Sequence, residues 1–349
     1  MLNTTLKQNL SGFSQSELEK VLLELKWPSF KARQLFSWIY KKPVSDFNQM
    51  TDLNKKERDF LKDNFTLSTL KLKEKQVSKD KTIKYLWALS DEKLVESVRM
   101  HLKDHDSYSA CISSQVGCAV GCPFCATGAL GFKRNLKANE IIDQVLEIQR
   151  DTKERINNIV FMGQGEPLNN YDEVLKAIQL LKDCVGIGSR HITLSTSGIT
   201  QNIKKLANEK LQITLAVSLH APDQETRELL VPISKKYKLR ELIETLHYYY
   251  DITKRRITIE YVMLNEINDS IQKAKELACL IKNLYCHINL IPYNPIHTKT
   301  SIKLERPTSN KIHRFKEVLE KESHKKVTLR HERGTDIDAA CGQLANLAS

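Results

Sequence analysis

Three cysteines stand close together in the sequence, separated by two short gaps. They are Cys118, Cys122 and Cys125, in the pattern C-x3-C-x2-C. Cysteines at such spacing, in a chain expected to be kept reduced, indicate a metal site rather than disulfides. A zinc site would require a fourth cysteine or histidine nearby, and the loop sequence has none. Three thiolates on a four-iron cluster leave one iron open to a ligand, as catalysis requires, so we favour the iron–sulfur cluster.

A glycine-rich turn with a carboxylate follows the next predicted strand. Residues 161–169 read Phe-Met-Gly-Gln-Gly-Glu-Pro-Leu-Asn, so that Gly165 directly precedes Glu166. Glycines at the end of a strand let the backbone approach a ligand closely, and a carboxylate beside them suits an ammonium group. Such a turn is usually only a turn. Its position one strand–helix unit after the cysteine loop is what favours a binding role.

Polar residues also follow three later predicted strands, in the segments 195–198, 218–222 and 292–295. A single serine, histidine or asparagine at the end of a strand is more often a turn or cap residue. Three such segments on one predicted rim favour contact with a ligand such as a ribose, a carboxylate or an adenine. The candidate binding residues are Ser197, Ser218, Leu219, His220 and Asn294.

A further cysteine, Cys341, lies near the C-terminal end in a polar, glycine-flanked segment. A thiolate near cationic groups is a good nucleophile towards the methyl group of a sulfonium. The alternative is an idle thiol in a tail. By contrast, Cys184, Cys279 and Cys286 lie in or beside apolar periodic stretches, so we expect them to be small core residues.

The elements that must position these residues change in character near residue 95. Beyond it, short β-type runs alternate with amphipathic segments such as 138–150 and 270–284. This alternation predicts βαβ units around a parallel sheet, with ligands at the carboxyl ends of the strands. Six strands are too few for the complete eight-stranded barrel, so we expect an α/β partial barrel. The predicted strands are 110–113, 158–163, 191–196, 213–219, 257–264 and 287–292.

The region before residue 95 is expected to be a small, mainly helical accessory domain. Residues 14–17 have the pattern of a helix start. The basic stretch 71–84 has strand-like alternation, which fits either a solvated sheet edge or a face for nucleic acid. We therefore divide the chain into an accessory domain at 1–95, a partial barrel at 96–331 and a tail carrying Cys341 at 332–349.

The charge of the chain is strongly positive. Its 54 lysines and arginines exceed its 42 aspartates and glutamates, which gives a formal net charge of +12. Such an excess favours a polyanionic partner, although a basic but inert surface is the alternative. The sequence has no apolar run of membrane-spanning length and no signal-peptide pattern at its start. We expect a cytoplasmic monomer.

Together these motifs closely resemble the RlmN/Cfr family of radical S-adenosylmethionine RNA methyltransferases, over nearly the whole chain. The resemblance is carried by SSQVGC at 113–118, FKRNL at 132–136, GEPL at 165–168, SLH at 218–220, DIDAACGQL at 336–344 and FKARQLFSWIY at 30–40. It implies one [4Fe-4S] cluster on Cys118, Cys122 and Cys125, with S-adenosylmethionine bound at the open iron. Gly165, Glu166 and the polar residues at the later strand ends would bind this cofactor. One departure is Gln164, which stands where many relatives have methionine.

The resemblance also implies a mechanism. Cys341 would take a methyl group from a first S-adenosylmethionine, and a second molecule at the cluster would yield the 5′-deoxyadenosyl radical. That radical would remove a hydrogen atom from the methyl group on the sulfur, and the resulting methylene radical would add to an adenine ring. Glu96 matches the family's proton acceptor. Cys111 matches the partner that forms a transient disulfide with Cys341 and frees the product.

The implied substrates are adenine 2503 of 23S rRNA, in the usual rRNA numbering, and adenine 37 of some tRNAs, both methylated at C2. The implied electron donor is a flavodoxin or a ferredoxin. The main alternative is the Cfr-like reaction at C8. We favour C2 because the pair Glu166-Pro167 and the tail resemble RlmN more than Cfr.

Two other classes of function stay open at this point. One is a zinc-containing RNA-binding protein without catalysis, which would not depend on Cys341. The other is a radical enzyme that modifies a protein or a small molecule, with the positive charge incidental.

Overall fold

The protein is described by a computed structural model that covers residues 7–102, 107–297 and 302–345. Its framework is a ten-stranded sheet in which the strands follow one another in chain order from edge to edge. The first four strands pair antiparallel, and the fourth to the tenth pair parallel. The strands are β1 (Lys71–Val77), β2 (Ile83–Ala88), β3 (Leu94–Leu102), β4 (Ser107–Cys111), β5 (Ile156–Phe161), β6 (Ile192–Thr196), β7 (Thr214–Ser218), β8 (Ile257–Met263), β9 (Cys286–Pro292) and β10 (Val327–Leu329).

Helices connect the parallel strands, as expected for βαβ units. Three α-helices precede the sheet, and eight more α-helices lie between β4 and β10 in the described part of the chain. None of the described helices is long and apolar enough to cross a membrane. The helices are α1 (Gln15–Glu24), α2 (Ser29–Phe36), α3 (Lys55–Asn64), α4 (Ala126–Ala129), α5 (Ala138–Thr152), α6 (Tyr171–Leu180), α7 (Thr200–Asn208), α8 (Gln224–Leu230), α9 (Leu239–Thr253), α10 (Ile271–Leu280) and α11 (Ser309–Ser323).

The predicted partial barrel is confirmed, with one parallel strand more than expected. The six predicted strands correspond to β4–β9, in the predicted order and all parallel. The additional strand is β10, which pairs with β9 through Val327, Thr328 and Leu329. Three residues are too short a run for an alternating pattern to be recognised in the sequence.

The sheet continues through the expected boundary at residue 95. That residue lies inside β3, and the antiparallel strands β1–β3 extend the same sheet beyond β4. The basic stretch 71–84 forms β1 and the turn to β2, and β1 is an edge strand with mostly exposed side chains. The proposed division into domains therefore does not follow a break in the sheet and stays a prediction.

The helical N-terminal region is attached to the barrel through a buried carboxylate. Asp143 on α5 accepts hydrogen bonds from Nδ2 of Asn9 at 2.7 Å, from the hydroxyl of Ser11 and from the backbone N–H of Thr69 at 2.8 Å. Burial raises the pKa of Asp143 to about 6, and these donors oppose the shift. The predicted helix start is also confirmed, because Ser14 caps α1.

The cysteines that were expected in the core differ in their burial. Cys184 and Cys286 are buried, as predicted. Cys279 is exposed, and the prediction for it was wrong. It lies on α10, whose buried residues are Ala274, Leu277 and Ala278, so Cys279 is on the solvent side of that helix.

Candidate active site

The three clustered cysteines lie on the loop that leads into α4, at the carboxyl-terminal side of the parallel strands. Cys125 is the N-cap of α4, and its backbone N–H donates to the carbonyl of Cys122 at 3.2 Å. The loop folds tightly because Gly117 has a φ of +73° and lies against Gly131. A Cβ at Gly117 would come within 1.8 Å of the Gly131 carbonyl oxygen, so only glycine fits there.

The donor set of this loop fits an iron–sulfur cluster. Cys118, Cys122 and Cys125 line one cavity of about 170 Å³, and each of the three thiols has a raised pKa. Burial is the main cause of the shifts, and the neighbouring cysteine sulfurs add to them. Among the described residues no three His, Cys, Asp or Glu side chains stand in a preformed metal geometry. The fit to a cluster therefore rests on the three thiols, which share one cavity and would be deprotonated when they bind iron.

The glycine–glutamate turn lies opposite this loop. Gly165 has a φ of +101° and packs against Gln115, where a Cβ would come within 2.6 Å of the Gln115 Cβ. Glu166 lines the same cavity and is buried. Its carboxylate accepts hydrogen bonds from the backbone N–H and the hydroxyl of Ser197, both at 2.6 Å. Burial raises the pKa of Glu166, and the Ser197 donors oppose this shift. The structure thus brings these predicted residues together.

Only some of the residues predicted at the end of β7 line the cavity. Ser218 lines the cavity, whereas Leu219 is fully buried and is not among the described residues in its wall. The carbonyls of both accept hydrogen bonds from Arg227 on α8. Arg227 also donates to the carbonyl of Ser197 at 2.6 Å, so one buried guanidinium fixes two strand ends. Nothing in the sequence pattern singled out Arg227.

His220 is a neutral side chain in the wall of the same cavity. Burial lowers its pKa to about 3. Its Nδ1 accepts a hydrogen bond from the backbone N–H of Val262 at 3.0 Å, so the proton of the neutral ring lies on Nε2. The ring also packs edge-on against Phe124 of the cysteine loop, with centroids 4.9 Å apart. His220 can therefore both donate a hydrogen bond and brace the loop.

A second cavity, of about 400 Å³, adjoins the first and contains the other two cysteines of interest. Cys111 lines only the second cavity, whereas Cys341, Asn294, Met162 and Arg330 line both. The side chain of Asn294 donates to the carbonyl of Cys341 at 3.2 Å. The structure therefore places Cys341 in the wall that the two cavities share.

Cys111 is the last residue of β4 and is buried beside Val98 and Leu344. Burial raises the pKa of its thiol to about 12, and the sulfur of Cys341 raises it further, while Arg330 opposes the shift. Cys111 and Cys341 are both free thiols. The sheet and the C-terminal segment thus bring two cysteines together that are far apart in the sequence.

Glu96 lies on β3, beside the strand that carries Cys111. Val98 pairs with Cys111, and Glu96, two residues earlier, lies on the same face of the sheet. Its buried carboxylate is 3.6 Å from the ammonium of Lys84. Glu96 is not among the described residues that line either cavity. The unusual Gln164 is fully buried, and its side-chain oxygen accepts a hydrogen bond from the Glu96 backbone N–H at 3.4 Å.

An ion pair inside the barrel was missed by the sequence reasoning. Arg330 follows β10, and its guanidinium lies 3.7 Å from the carboxylate of Glu260 on β8. The same guanidinium donates to the sulfur of Met162 at 3.4 Å. The sulfur of Cys341, and then Glu260, raise the pKa of the guanidinium above its ordinary value. Recognising β10 would have placed Arg330 on the functional rim, since it comes directly after a parallel strand.

Comparisons with known proteins identify the family of the chain. The family model of the radical SAM superfamily matches residues 112–278, and that of the ribosomal RNA large subunit methyltransferase N-terminal domain matches residues 8–67. The superfamily is defined by a 4Fe-4S cluster and S-adenosylmethionine, which argues against the zinc alternative.

Close relatives cover almost the whole chain. A probable dual-specificity RNA methyltransferase RlmN from Desulforamulus reducens is 49% identical over 98% of this chain and 97% of its own length. The corresponding protein from Alkaliphilus oremlandii is 45% identical, with 97% of each chain covered. A crystal structure of a radical SAM methyltransferase from Sphaerobacter thermophilus is 40% identical with a TM-score of 0.93, covering 97% of this chain and 100% of that one. Relatives this similar over this length establish that the chain belongs to the RlmN family of radical S-adenosylmethionine RNA methyltransferases.

Proposed function

We propose that the protein methylates C2 of an adenine in 23S rRNA, and of an adenine in some tRNAs, through a methylated Cys341. The observation that carries the proposal is the position of Cys341. Its side chain lies between a cavity lined by the three clustered cysteines and a cavity lined by Cys111. A sulfur in a shared wall can accept a methyl group on one side and deliver it on the other.

The smaller cavity is the proposed site for S-adenosylmethionine. Cys118, Cys122 and Cys125 would hold the cluster there, and a bound cluster with S-adenosylmethionine supplies the radical chemistry of the superfamily. Around it the chain offers a carboxylate, hydroxyls, an amide and a neutral imidazole, which suit an amino acid and a nucleoside. These groups belong to Glu166, Ser197, Ser218, His220 and Asn294, with Gly165 in the adjoining turn and Leu219 acting only through its backbone.

The larger cavity is the proposed site of the adenine. In this proposal the thiolate of Cys111 attacks the sulfur of Cys341, and the bond from that sulfur to the carbon carried on the adenine breaks. The carbon takes up a proton and becomes the methyl group of the product, and a disulfide between Cys111 and Cys341 remains. Glu96 is the proposed proton acceptor, and it shares a sheet face with Cys111. Its position outside the described cavity wall means that the adenine, or Glu96 itself, must approach further. The ammonium of Lys84 lies 3.6 Å from the Glu96 carboxylate.

The partners follow from the charge and from the accessory region. The net charge of +12 and the match of residues 8–67 to the N-terminal domain of the rRNA methyltransferases support RNA binding by an accessory domain at 1–95. We propose that a partial barrel at 96–331 and a tail at 332–349 carry the chemistry. This division is functional, because β3 spans its first boundary. We further propose that each turnover uses two S-adenosylmethionines and that a flavodoxin or a ferredoxin donates the electrons. The protein would be a monomer located in the cytoplasm.

The test is mass spectrometry of rRNA and tRNA from cells that carry either the wild-type chain or Cys341→Ala. We expect a methyl group on adenine C2 with the wild type and none with Cys341→Ala. Cys279→Ala is the matched control, because that cysteine is exposed and remote from both cavities. Methylation at C8 would replace the C2 proposal by the alternative. A methyl level unchanged by Cys341→Ala would remove Cys341 from the mechanism.

A further inference from the structure

The segment 334–344, here called the Cys341 segment, is attached to the cysteine loop. The hydroxyl of Thr127 donates to the carbonyl of Leu344 at 2.7 Å. The backbone N–H of Ala126 donates to the carbonyl of Gly342, also at 2.7 Å. Both donors come directly after Cys125. The residue next to Cys341 is therefore tied to the residue next to a proposed cluster ligand.

The other end of the Cys341 segment is attached to the turn between β1 and β2. The hydroxyl of Ser78 donates to Oδ1 of Asp336 at 2.6 Å, and the backbone N–H of Lys79 donates to Oδ2 at 3.2 Å. In the reverse direction the backbone N–H of Gly334 donates to Asp80 at 3.0 Å. These contacts join the C-terminal segment to the first hairpin of the sheet.

Between the two attachments the backbone of the segment bends sharply. Gly334, Asp338 and Gly342 all have positive φ values, of 62°, 50° and 88°. Cys341 lies next to Gly342, which Ala126 binds, three residues from Leu344, which Thr127 binds, and five from Asp336. Asn294 holds the carbonyl of Cys341 itself at 3.2 Å, and the cysteine loop holds two of the residues that follow, so both bear on the position of the sulfur.

We propose that Thr127 is a positioning residue for Cys341, with Asp336 as a second attachment, so that the cysteine loop that would hold the cluster also sets the place of the methyl-carrying sulfur. The inference rests on the proposed role of Cys341. Its consequence is that the two sulfur sites are coupled. A displaced loop would displace Cys341, even though Cys341 is no ligand of the cluster.

The physical basis is a buried hydroxyl that donates to the Leu344 carbonyl and also lies beside the sulfur of Cys125. Thr127 is 3% exposed, so a valine at this position keeps the volume and leaves the Leu344 carbonyl without its donor. Losing one such bond shifts the equilibrium between the attached and the released segment by about threefold to tenfold. Serine retains the hydroxyl and restores the bond.

The experiment uses the full-length holoenzyme, reconstituted without oxygen. A short pulse of iodoacetamide is followed by mass spectrometry of the peptide that contains Cys341. We expect Thr127→Val to raise the alkylation rate of Cys341 about threefold to tenfold. The same variant should slow formation of the Cys111–Cys341 disulfide by oxidised glutathione. Thr127→Ser, which keeps the hydroxyl for both Leu344 and Cys125, should behave as the wild type, and the three proteins are compared after reconstitution to equal iron content.

Asp336→Asn tests the second attachment at a site where the fold is not at risk. Asp338→Asn is its matched control, because it makes the same charge change in the same segment but only loses an exposed contact with His297. We expect faster alkylation with Asp336→Asn and no change with Asp338→Asn. If Thr127→Val alkylates at the wild-type rate, or Asp336→Asn at the rate of Asp338→Asn, the attachment concerned does not position Cys341. Alkylation of Cys341 needs no methyl transfer. It therefore reports on the two attachments even if Cys341→Ala retains activity and the proposed function is wrong.

Discussion

The cysteine loop and the Cys111–Cys341 pair are two sulfur sites built in opposite ways. Cys118, Cys122 and Cys125 belong to one short loop, and they line one cavity because the loop folds tightly on itself. Cys111 lies at the end of a buried strand, and Cys341 lies on a segment near the other end of the chain. Local spacing creates the first site, whereas the whole sheet creates the second.

The two sites also differ in what must happen to their protons. Burial raises the pKa of every thiol in the loop, and binding of iron would remove those protons permanently. At Cys111 the pKa is about 12, and the guanidinium of Arg330 only partly opposes the effect of burial. A permanent ligand and a transient nucleophile thus begin from similar thiols. The difference in function comes from their partners.

The largest expected effect comes from Cys125→Ala. Because two thiolates do not hold a four-iron cluster with an open site, we expect loss of the brown colour, of bound iron and of all methylation. Cys184→Ala is the control, since Cys184 is also buried but lies outside both cavities. Iron analysis after anaerobic reconstitution makes the measurement. A full iron content in Cys125→Ala would contradict the assignment of the loop.

The second prediction concerns Cys111→Ala, which should leave the cysteine loop intact and prevent the disulfide between Cys111 and Cys341. We expect normal iron content, no completed methylation, and an RNA that stays covalently bound to Cys341. The adduct is measured as a protein band of reduced mobility that disappears on treatment with ribonuclease. Cys286→Ala, at a buried strand position remote from the cavities, should turn over normally. Turnover by Cys111→Ala would mean that another group frees the product.

The third prediction concerns Glu96→Gln, which removes a proton acceptor and keeps its shape. We expect methylation to slow by about 100-fold or more, the usual contribution of a positioned base. Glu140→Gln is the control, because Glu140 is an equally buried carboxylate, paired with Arg134 away from the cavities. Single-turnover rates with a short RNA make the measurement. Equal rates for the two variants would show that Glu96 is not the base.

The same contrast explains what the sequence predicts and what it does not. The loop cysteines and six of the seven parallel strands are local patterns that can be recognised from spacing, and the glycine–glutamate turn can be recognised from its position one unit after the cysteine loop. Arg330 was missed because β10 is only three residues long. Arg227 was missed because it acts on the carbonyls of Ser197, Ser218 and Leu219, which any sequence would provide. The proximity of the distant thiols came from the family resemblance, since no spacing encodes it.

The last prediction is a dependence on pH, about tenfold per pH unit, that separates the pair from the loop. The pKa of Cys111 is raised to about 12, so at neutral pH the thiol is protonated and only a small fraction is nucleophilic thiolate. As pH rises towards that pKa, the thiolate fraction grows about tenfold per pH unit. We therefore expect decay of the preformed RNA adduct to accelerate about tenfold per unit between about pH 7 and 9.

The measurement is a pH jump on the adduct that wild-type protein forms in a single turnover, with a short RNA that withstands pH 9. Iron content, recorded in parallel, should stay constant, because the loop thiols are deprotonated once they bind the cluster. Cys111→Ala should show no acceleration, which separates attack by this thiol from hydrolysis of the RNA. A flat profile in the wild type would contradict rate-limiting attack by a Cys111 thiol whose pKa is raised by burial.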